Sequence, residues 1–273
     1  MIRILADASI SLTESEAAEF NINIVPMHYT LGGMAYLDVY ADQVEAFAKI
    51  KAGQGRMTTS QPSVETYKDM LKQVLDAGDE VLCLCISARL SGSYSSAELA
   101  AKELGNNGIK ILDTKCSTAT MRMLALKAKD LIASGKSLDE VYSGLQVCRD
   151  SLGYALSVDN IEPLKRGGRL GVIKQSASSM LNIKPILELK NGTLKSVGFA
   201  RGKTAQLKEL LAQVPDSAQS IIVEHIDSES QAKQLAALSV AKFPYINNIQ
   251  ITTMGAVLAV HVGIPAIGIA WQK

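Results

Sequence analysis

Short aliphatic runs alternate with helix-length amphipathic segments through the first half of this chain. Residues 2–6, 22–25, 81–86 and 109–112 are apolar runs bounded by polar residues, as buried strands are. Between and after them, apolar positions recur at helical spacing over 13–20, 42–50, 63–75, 94–104 and 118–133. Thr13 with Glu16, and Asp42 with Glu45, have the spacing of capping boxes. Strand–helix alternation predicts an α/β domain with a mainly parallel sheet. Three of the predicted strands run into polar residues, at Asp7-Ala8-Ser9, Ser87-Ala88-Arg89 and Asp113-Thr114-Lys115. Open parallel sheets take their ligands at that carboxyl end of the strands.

The pattern changes after about residue 150. Residues 154–158 and 183–189 read as strands, and Lys190-Asn191-Gly192-Thr193 is a hairpin signal that returns 194–200 antiparallel. Helices are expected over 204–211 and 228–240, and strands over 221–225, 248–252 and 266–270. The fold class is therefore α/β with two domains: residues 1–152 with a mainly parallel sheet, and 153–273 with a mixed sheet. No repeat or long linker separates them, and a cleft between two closely joined domains is the expected ligand site.

Composition narrows what such a cleft holds. Of 273 residues, 47% are hydrophobic but only 5% aromatic, so aliphatic side chains must fill the core. A site that stacked on bases would need more rings. Residues 1–150 carry 15 Lys+Arg against 19 Asp+Glu, net −4; residues 151–273 carry 13 against 8, net +5. The second half suits acidic partners, but the excess is too small for nucleic acid and no nucleic-acid motif accompanies it. Cys83, Cys85, Cys116 and Cys148 sit mostly in apolar runs without a CxxC pair, as reduced core residues do. The first residues have no signal-peptide layout, and the apolar stretch 255–271 is broken by His261, Gly263, Pro265 and Gly268. A cytoplasmic protein without a membrane span is expected.

Two hydroxyl-rich segments carry the candidate chemistry. Thr58-Thr59-Ser60-Gln61-Pro62-Ser63 and Leu90-Ser91-Gly92-Ser93-Tyr94-Ser95-Ser96 each precede a predicted helix. Hydroxyls and free N–H groups at a helix N-terminus hold a carboxylate or phosphate without a cationic side chain. Pro62 fixes its own φ and presses Gln61 into an extended conformation, which leaves Ser63 as N-cap. Gly92 removes a side chain where a ligand would approach the backbone. Both segments also fit a plain helix cap. His261 is a lone ring in the apolar run Ala259-Val260-His261-Val262-Gly263, and needs a partner: the core, or the anion and its hydroxyls. His225 and His28 fit structural roles. Pro163 to Gly171 is a basic glycine-rich loop holding Lys165, Arg166 and Arg169, without the spacing of a nucleotide-binding loop. No HExxH, G-x-S-x-G, acidic metal cluster or Cys–His pairing occurs, so binding is favoured over catalysis, with no cofactor or metal. Two other readings stay open: a serine-dependent hydrolase or transferase using Ser91 or Ser93 with His261, and a phosphate-responsive regulator using the basic loop.

Taken together, the segments resemble the DegV family of fatty-acid-binding proteins. The matching pieces are Ile4-Leu5-Ala6-Asp7-Ala8-Ser9, Ile24-Val25-Pro26, Tyr36-Leu37-Asp38, Thr59-Ser60-Gln61-Pro62-Ser63, Leu90-Ser91-Gly92-Ser93-Tyr94, Asp113-Thr114, Leu164-Lys165-Arg166-Gly167-Gly168-Arg169-Leu170, Lys184-Pro185-Ile186-Leu187 and His261-Val262-Gly263. They run in family order over essentially the whole chain. The chain departs from the family pattern at Asp7-Ala8-Ser9, in place of an Asp-Ser-Thr-like triplet, and at Gly263-Ile264-Pro265, in place of Gly-Pro-Gly. The resemblance implies a long-chain fatty acid buried between two α/β domains. It further implies that the acid is presented to a separate ATP-dependent fatty acid kinase, which makes the acyl phosphate for phospholipid metabolism. Carried over by motif, Thr59, Ser91 and His261 would hold the carboxylate, with Ser60, Gly92 and Ser93 beside them. Arg201 would lie near the head group and partner surface, and Lys165, Arg166 and Arg169 would meet the kinase or, transiently, an anionic membrane.

Overall fold

The computed structural model describes residues 1–42, 44–52, 57–170 and 183–273. Residue 43, inside the helix expected over 42–50, and Gly171, at the end of the basic loop, lie outside the described residues. The first half contains β1 (Ile2–Asp7), α1 (Glu14–Phe20), β2 (Ile22–Val25), β3 (Met27–Leu31), β4 (Met34–Asp38), α2 (Val44–Ala52), β5 (Met57–Ser60) and α3 (Val64–Asp76). It continues through β6 (Glu80–Cys85), α4 (Ser93–Leu104), β7 (Ile109–Asp113), α5 (Thr118–Ala133) and α6 (Leu138–Arg149). The second half runs β8 (Leu152–Val158), α7 (Glu162–Arg166), β9 (Ile183–Lys190), β10 (Thr193–Arg201), α8 (Lys203–Ala212) and β11 (Ser220–Ile226). It ends with α9 (Glu229–Lys242), β12 (Gln250–Thr253), α10 (Ala256–Val262) and β13 (Ala266–Gln272).

The four aliphatic runs of the first half form one parallel sheet in the order β2-β1-β6-β7. Their mainly apolar character follows from burial, which in β6 extends to both faces. Leu82 and Leu84 face one side, with Cys116 and Cys148 in the same core, and Cys83 and Cys85 face the other; all four cysteines are free, buried thiols. Thr13 and Glu16 form the expected capping box, and Ser63 caps α3 through the Thr66 N–H at 3.0 Å. The second half builds a mixed sheet in the order β10-β9-β8-β13-β11-β12, with the predicted hairpin turning on Asn191 and Gly192, both at positive φ.

An additional antiparallel sheet, β4-β3-β5, departs from the expected pattern. Thr58 to Ser60 therefore lie in a strand; the expected helix-opening turn begins only after them. The sheet does not stay within its own half: α10 packs on β3, β5, α2 and α7. Asp38, buried at the end of β4, accepts the N–H groups of Val257 (2.8 Å) and Ala256 (3.3 Å) and so caps α10. Ser11 Oγ accepts the preceding Gly255 N–H at 3.0 Å. From the other side, α5 packs on β8, β11 and β13. The largest core is accordingly continuous across residue 152, joining Leu84 and Leu124 to Leu156 and Val257.

Candidate functional site

β5 alternates, so Thr58 and Ser60 face solvent while Thr59 turns inward toward the last turn of α10. There Thr59 Oγ1 lies 2.7 Å from His261 Nε2. Ser91 stands in the loop between β6 and α4, at the carboxyl end of the parallel sheet. Its Oγ accepts the Ser93 N–H at 3.3 Å and lies 3.0 Å from Ser93 Oγ. Behind that pair, the buried carboxylate of Asp7 accepts the Ile86 N–H at 2.8 Å and is bonded by the Ser9 hydroxyl.

Thr59, Ser91 and His261 line one cavity between the two halves. Gln61 and Arg169 stand with them. The rest of the wall is mainly aliphatic, from Leu90, Leu156, Leu164, Leu189, Leu194 and Val257. A largely apolar lining with a few convergent polar groups is the composition of a small-molecule pocket. Against His261 a second hollow is lined by Thr58, Pro163, Arg166 and Gly167. His261 and Arg169 border both spaces. A further polar group lines the cavity at Ser117, Thr118 and Tyr154.

Burial, and then the positive charge of Arg169, push the His261 pKa down to about 4, so its ring is neutral at pH 7. Arg169 Nε donates to the Leu90 carbonyl at 3.1 Å, and its guanidinium also bonds the Gly167 carbonyl. The polar end of the cavity thus offers hydroxyls, a neutral imidazole and one guanidinium charge. Such a set receives a carboxylate and repels a cation. Asp7 is pushed up to about 6 by burial, against the hydrogen bonds it accepts. Asp38 is likewise raised to about 6 by burial.

Thr59, Ser91 and His261, proposed from sequence, are brought to one cavity, and the other candidates are placed differently. Ser60 is exposed on the outer face of β5, because successive strand residues point oppositely. Ser93 is buried behind Ser91 and does not line the cavity. Gly92 leaves room for a neighbouring side chain: a Cβ there would lie 2.9 Å from Gln61 Nε2. Arg169, expected on a partner surface, instead forms part of the cavity wall. Lys165 and Arg166 are exposed, with Lys165 paired to Glu162 at 3.1 Å. Arg201 is exposed at the end of β10, opposite Ile183. His225 Nδ1 accepts the Ser228 N–H at 3.4 Å.

A serine–histidine catalytic arrangement does not emerge. His261 Nε2 is engaged by Thr59, and its Nδ1 faces Gly167. Among the described residues no carboxylate bonds the ring, while Asp7 and Asp38 are committed to backbone N–H groups. A ring that protonates only near pH 4 is a weak base for activating a serine at neutral pH. Among the described residues there is also no group of three or more His, Cys, Asp or Glu placed to hold a metal. No helix of the described residues is long and apolar enough to cross a membrane.

Gln61 and Glu224 are the residues that sequence reasoning missed. Gln61 was available as the centre of the Thr59–Ser63 motif. Glu224 was available as a lone carboxylate inside the apolar strand β11, where burial demands partners.

A DegV domain-containing protein of Deinococcus radiodurans is 30% identical over 283 residues, covering 99% of this chain and 98% of that protein. A solved structure from Thermus thermophilus, described as fatty acid binding by a DegV family protein, is 31% identical with a TM-score of 0.90, covering 100% of this chain and 99% of that one. A structure from Thermotoga maritima, described as a DegV lipid binding protein, is 25% identical with a TM-score of 0.90, covering 99% and 98%. The family model described as "Uncharacterised protein, DegV family" matches residues 1–273. The chain belongs to the DegV family.

Proposed function

We propose that this protein binds a long-chain fatty acid in the cavity between its two halves and presents the carboxyl end to a separate fatty acid kinase. The observation that carries the reading is the division of one cavity into an aliphatic wall and a polar end formed by Thr59, Ser91, His261 and Arg169. A relative of 31% identity, matched over the whole chain, is described as fatty acid binding. An aliphatic, ring-poor lining suits an alkyl chain. Burying such a chain contributes roughly 0.8 kcal/mol per CH₂, on the order of 10 kcal/mol in all before ordering costs. Each hydrogen bond to the carboxylate adds about 1.5–3 kcal/mol. The tail therefore dominates affinity, and the polar end fixes where the carboxylate sits.

Phosphorylation needs that carboxylate accessible from outside. The hollow beyond His261, with Arg166 on its rim, is the approach we assign to the kinase. Exposed Lys165, Arg166 and Arg201 supply positive charge for an acidic kinase surface or, transiently, an anionic membrane. Thr59→Ala and Ser91→Ala are expected to lower acyl phosphate formation with a cognate kinase about tenfold or more, while acid binding weakens only a few-fold. Kinase-coupled turnover and equilibrium binding, measured on the same samples, test this. Equal losses in both would remove the orienting role.

A further inference from the structure

The cavity holds a second polar group that a plain hydrocarbon does not use. Glu224, fully buried in β11, accepts the Thr118 hydroxyl at 2.5 Å, the Ala119 N–H at 3.0 Å and the Tyr154 hydroxyl. Thr118 and Tyr154 bond the same carboxylate oxygen, so their own oxygens stand side by side, and both residues line the cavity. Next to them is Ser117, which also lines the cavity and is only 5% exposed. Its backbone is satisfied by Thr120: the Thr120 hydroxyl accepts the Ser117 N–H at 3.3 Å and donates to its carbonyl at 2.7 Å. The Ser117 side chain sits where a helix cap would. The Thr120 N–H it would receive already reaches the Ser117 carbonyl at 3.2 Å. Ser117 Oγ approaches the Thr120 N–H as in a capping box but makes no hydrogen bond to it, and it has no other partner among the described residues.

This group stands on β8, β11 and the start of α5, whereas the carboxylate end stands on β5, α10 and the loop before α4. Along β8, Tyr154 precedes Leu156, and the strand then leads into α7 and Gly167, whose Cβ position is 2.8 Å from His261 Nδ1. Tyr154 to Leu156 alone spans roughly 7 Å of strand. No described hydrogen bond joins the Glu224 group to Thr59, Ser91 or His261.

We infer that Ser117, Thr118 and Tyr154 form a receptor for a hydroxyl group borne along the acyl chain, so that the ligand class includes monohydroxylated long-chain fatty acids. The inference rests on the fatty acid reading above. The chemistry of the three oxygens selects the substituent. Thr118 and Tyr154 give their protons to Glu224 and retain only acceptor lone pairs toward the cavity. Ser117 Oγ can donate or accept. A hydroxyl both donates and accepts, and satisfies the set. A keto oxygen accepts only and engages Ser117 alone, and a hydrocarbon leaves Ser117 unpaired. A second carboxylate accepts only, would find Ser117 as its single donor, and would be left buried and largely unpaired.

The test is a competition-binding series on delipidated protein using octadecanoic acid and its positional hydroxy isomers. At least one isomer is expected to bind about tenfold more tightly than octadecanoic acid itself. Ser117→Ala is expected to abolish that advantage and leave octadecanoic acid within about twofold of its original affinity. If every isomer binds no better than the parent acid, the inference falls, whatever the variant does. The same holds if Ser117→Ala weakens parent and hydroxy acids alike, or if an ordered water satisfies Ser117 in the complex with the hydroxy acid. Failure to bind any of the acids, octadecanoic included, would instead overturn the fatty acid reading.

Discussion

The contact between Thr59 and His261 organises the candidate site, and a glycine makes it sterically possible. A Cβ at Gly167 would stand 2.8 Å from His261 Nδ1 and 3.2 Å from the Pro163 carbonyl oxygen. Neither neighbour has room, because the ring is held from its other side by Thr59. Gly167→Ala is therefore expected to swing the ring off Thr59 and to cost about 1–3 kcal/mol. Denaturant unfolding would register the loss, and a ¹H–¹⁵N spectrum would show the changed imidazole environment. An unshifted ring signal would contradict this packing.

The buried titratable groups make stability depend on pH in opposing ways. His261 protonates near pH 4 when folded, against an ordinary value of 6.5. The unfolded chain binds that proton first, so the stability linked to His261 is present above about pH 6.5 and lost as pH falls toward 4. Asp7 and Asp38, raised to about 6 from 3.8, work in reverse: their contribution is present below about pH 4 and lost as pH rises through 6. In the wild type the slopes oppose each other over this window. His261→Gln removes the His261 share, so between pH 4 and 6 its stability is expected to rise less, or fall more, with increasing pH than that of the wild type. Urea midpoints across that range measure the difference; superimposable profiles for the two proteins would refute the assignment.

At the level of elements, legibility followed burial. β6 was readable because a strand buried on both faces is an unbroken apolar run, and β1, β2 and β7 because each has a single polar interruption, at Arg3, Asn23 and Lys110. β4 was not, since Met34 and Leu37 are exposed and its alternation is blurred. The signal for its hairpin with β3 was Gly32-Gly33, both at positive φ, a two-residue turn of the favoured kind. α6 announced itself through the Ser137–Glu140 capping box, which went unused. α10 was hidden for a different reason. Its cap, Asp38, comes from 218 residues earlier in the chain, and no local pattern reveals that pairing.

That remote cap positions the helix carrying His261. Asp38→Asn keeps the shape but replaces one acceptor oxygen by an NH₂ group facing backbone N–H donors. A loss of about 1–3 kcal/mol is expected, together with weaker ligand binding. Calorimetric unfolding with and without fatty acid separates the two effects. Wild-type stability in this variant would show that the cap is not needed to hold α10.

For the whole molecule, the site was legible in parts and its assembly was not. Thr59, Ser91 and His261 could each be named from hydroxyl-rich segments or from an isolated ring. Ser60 was placed with them because the segment was read as a turn; as strand β5 it must point away from Thr59. Arg169 was read as a surface cation because a glycine-rich basic loop is ordinarily solvated. Here the loop folds back until the guanidinium reaches the Leu90 carbonyl. The placement of this loop depends on α10 packing against both β5 and α7, contacts between segments far apart in sequence. The same contacts enclose the cavity, so ligand binding and the union of the two halves are one structural property.

The central claim is that an alkyl chain fills this cavity with its acid group at Thr59, Ser91 and His261. Mass spectrometry of small molecules released by denaturing the purified, fatty-acid-equilibrated protein tests it most directly. The account predicts a long-chain fatty acid at one molecule per chain. Protein that releases no acyl acid, after equilibration with a mixture of long-chain acids, would contradict it.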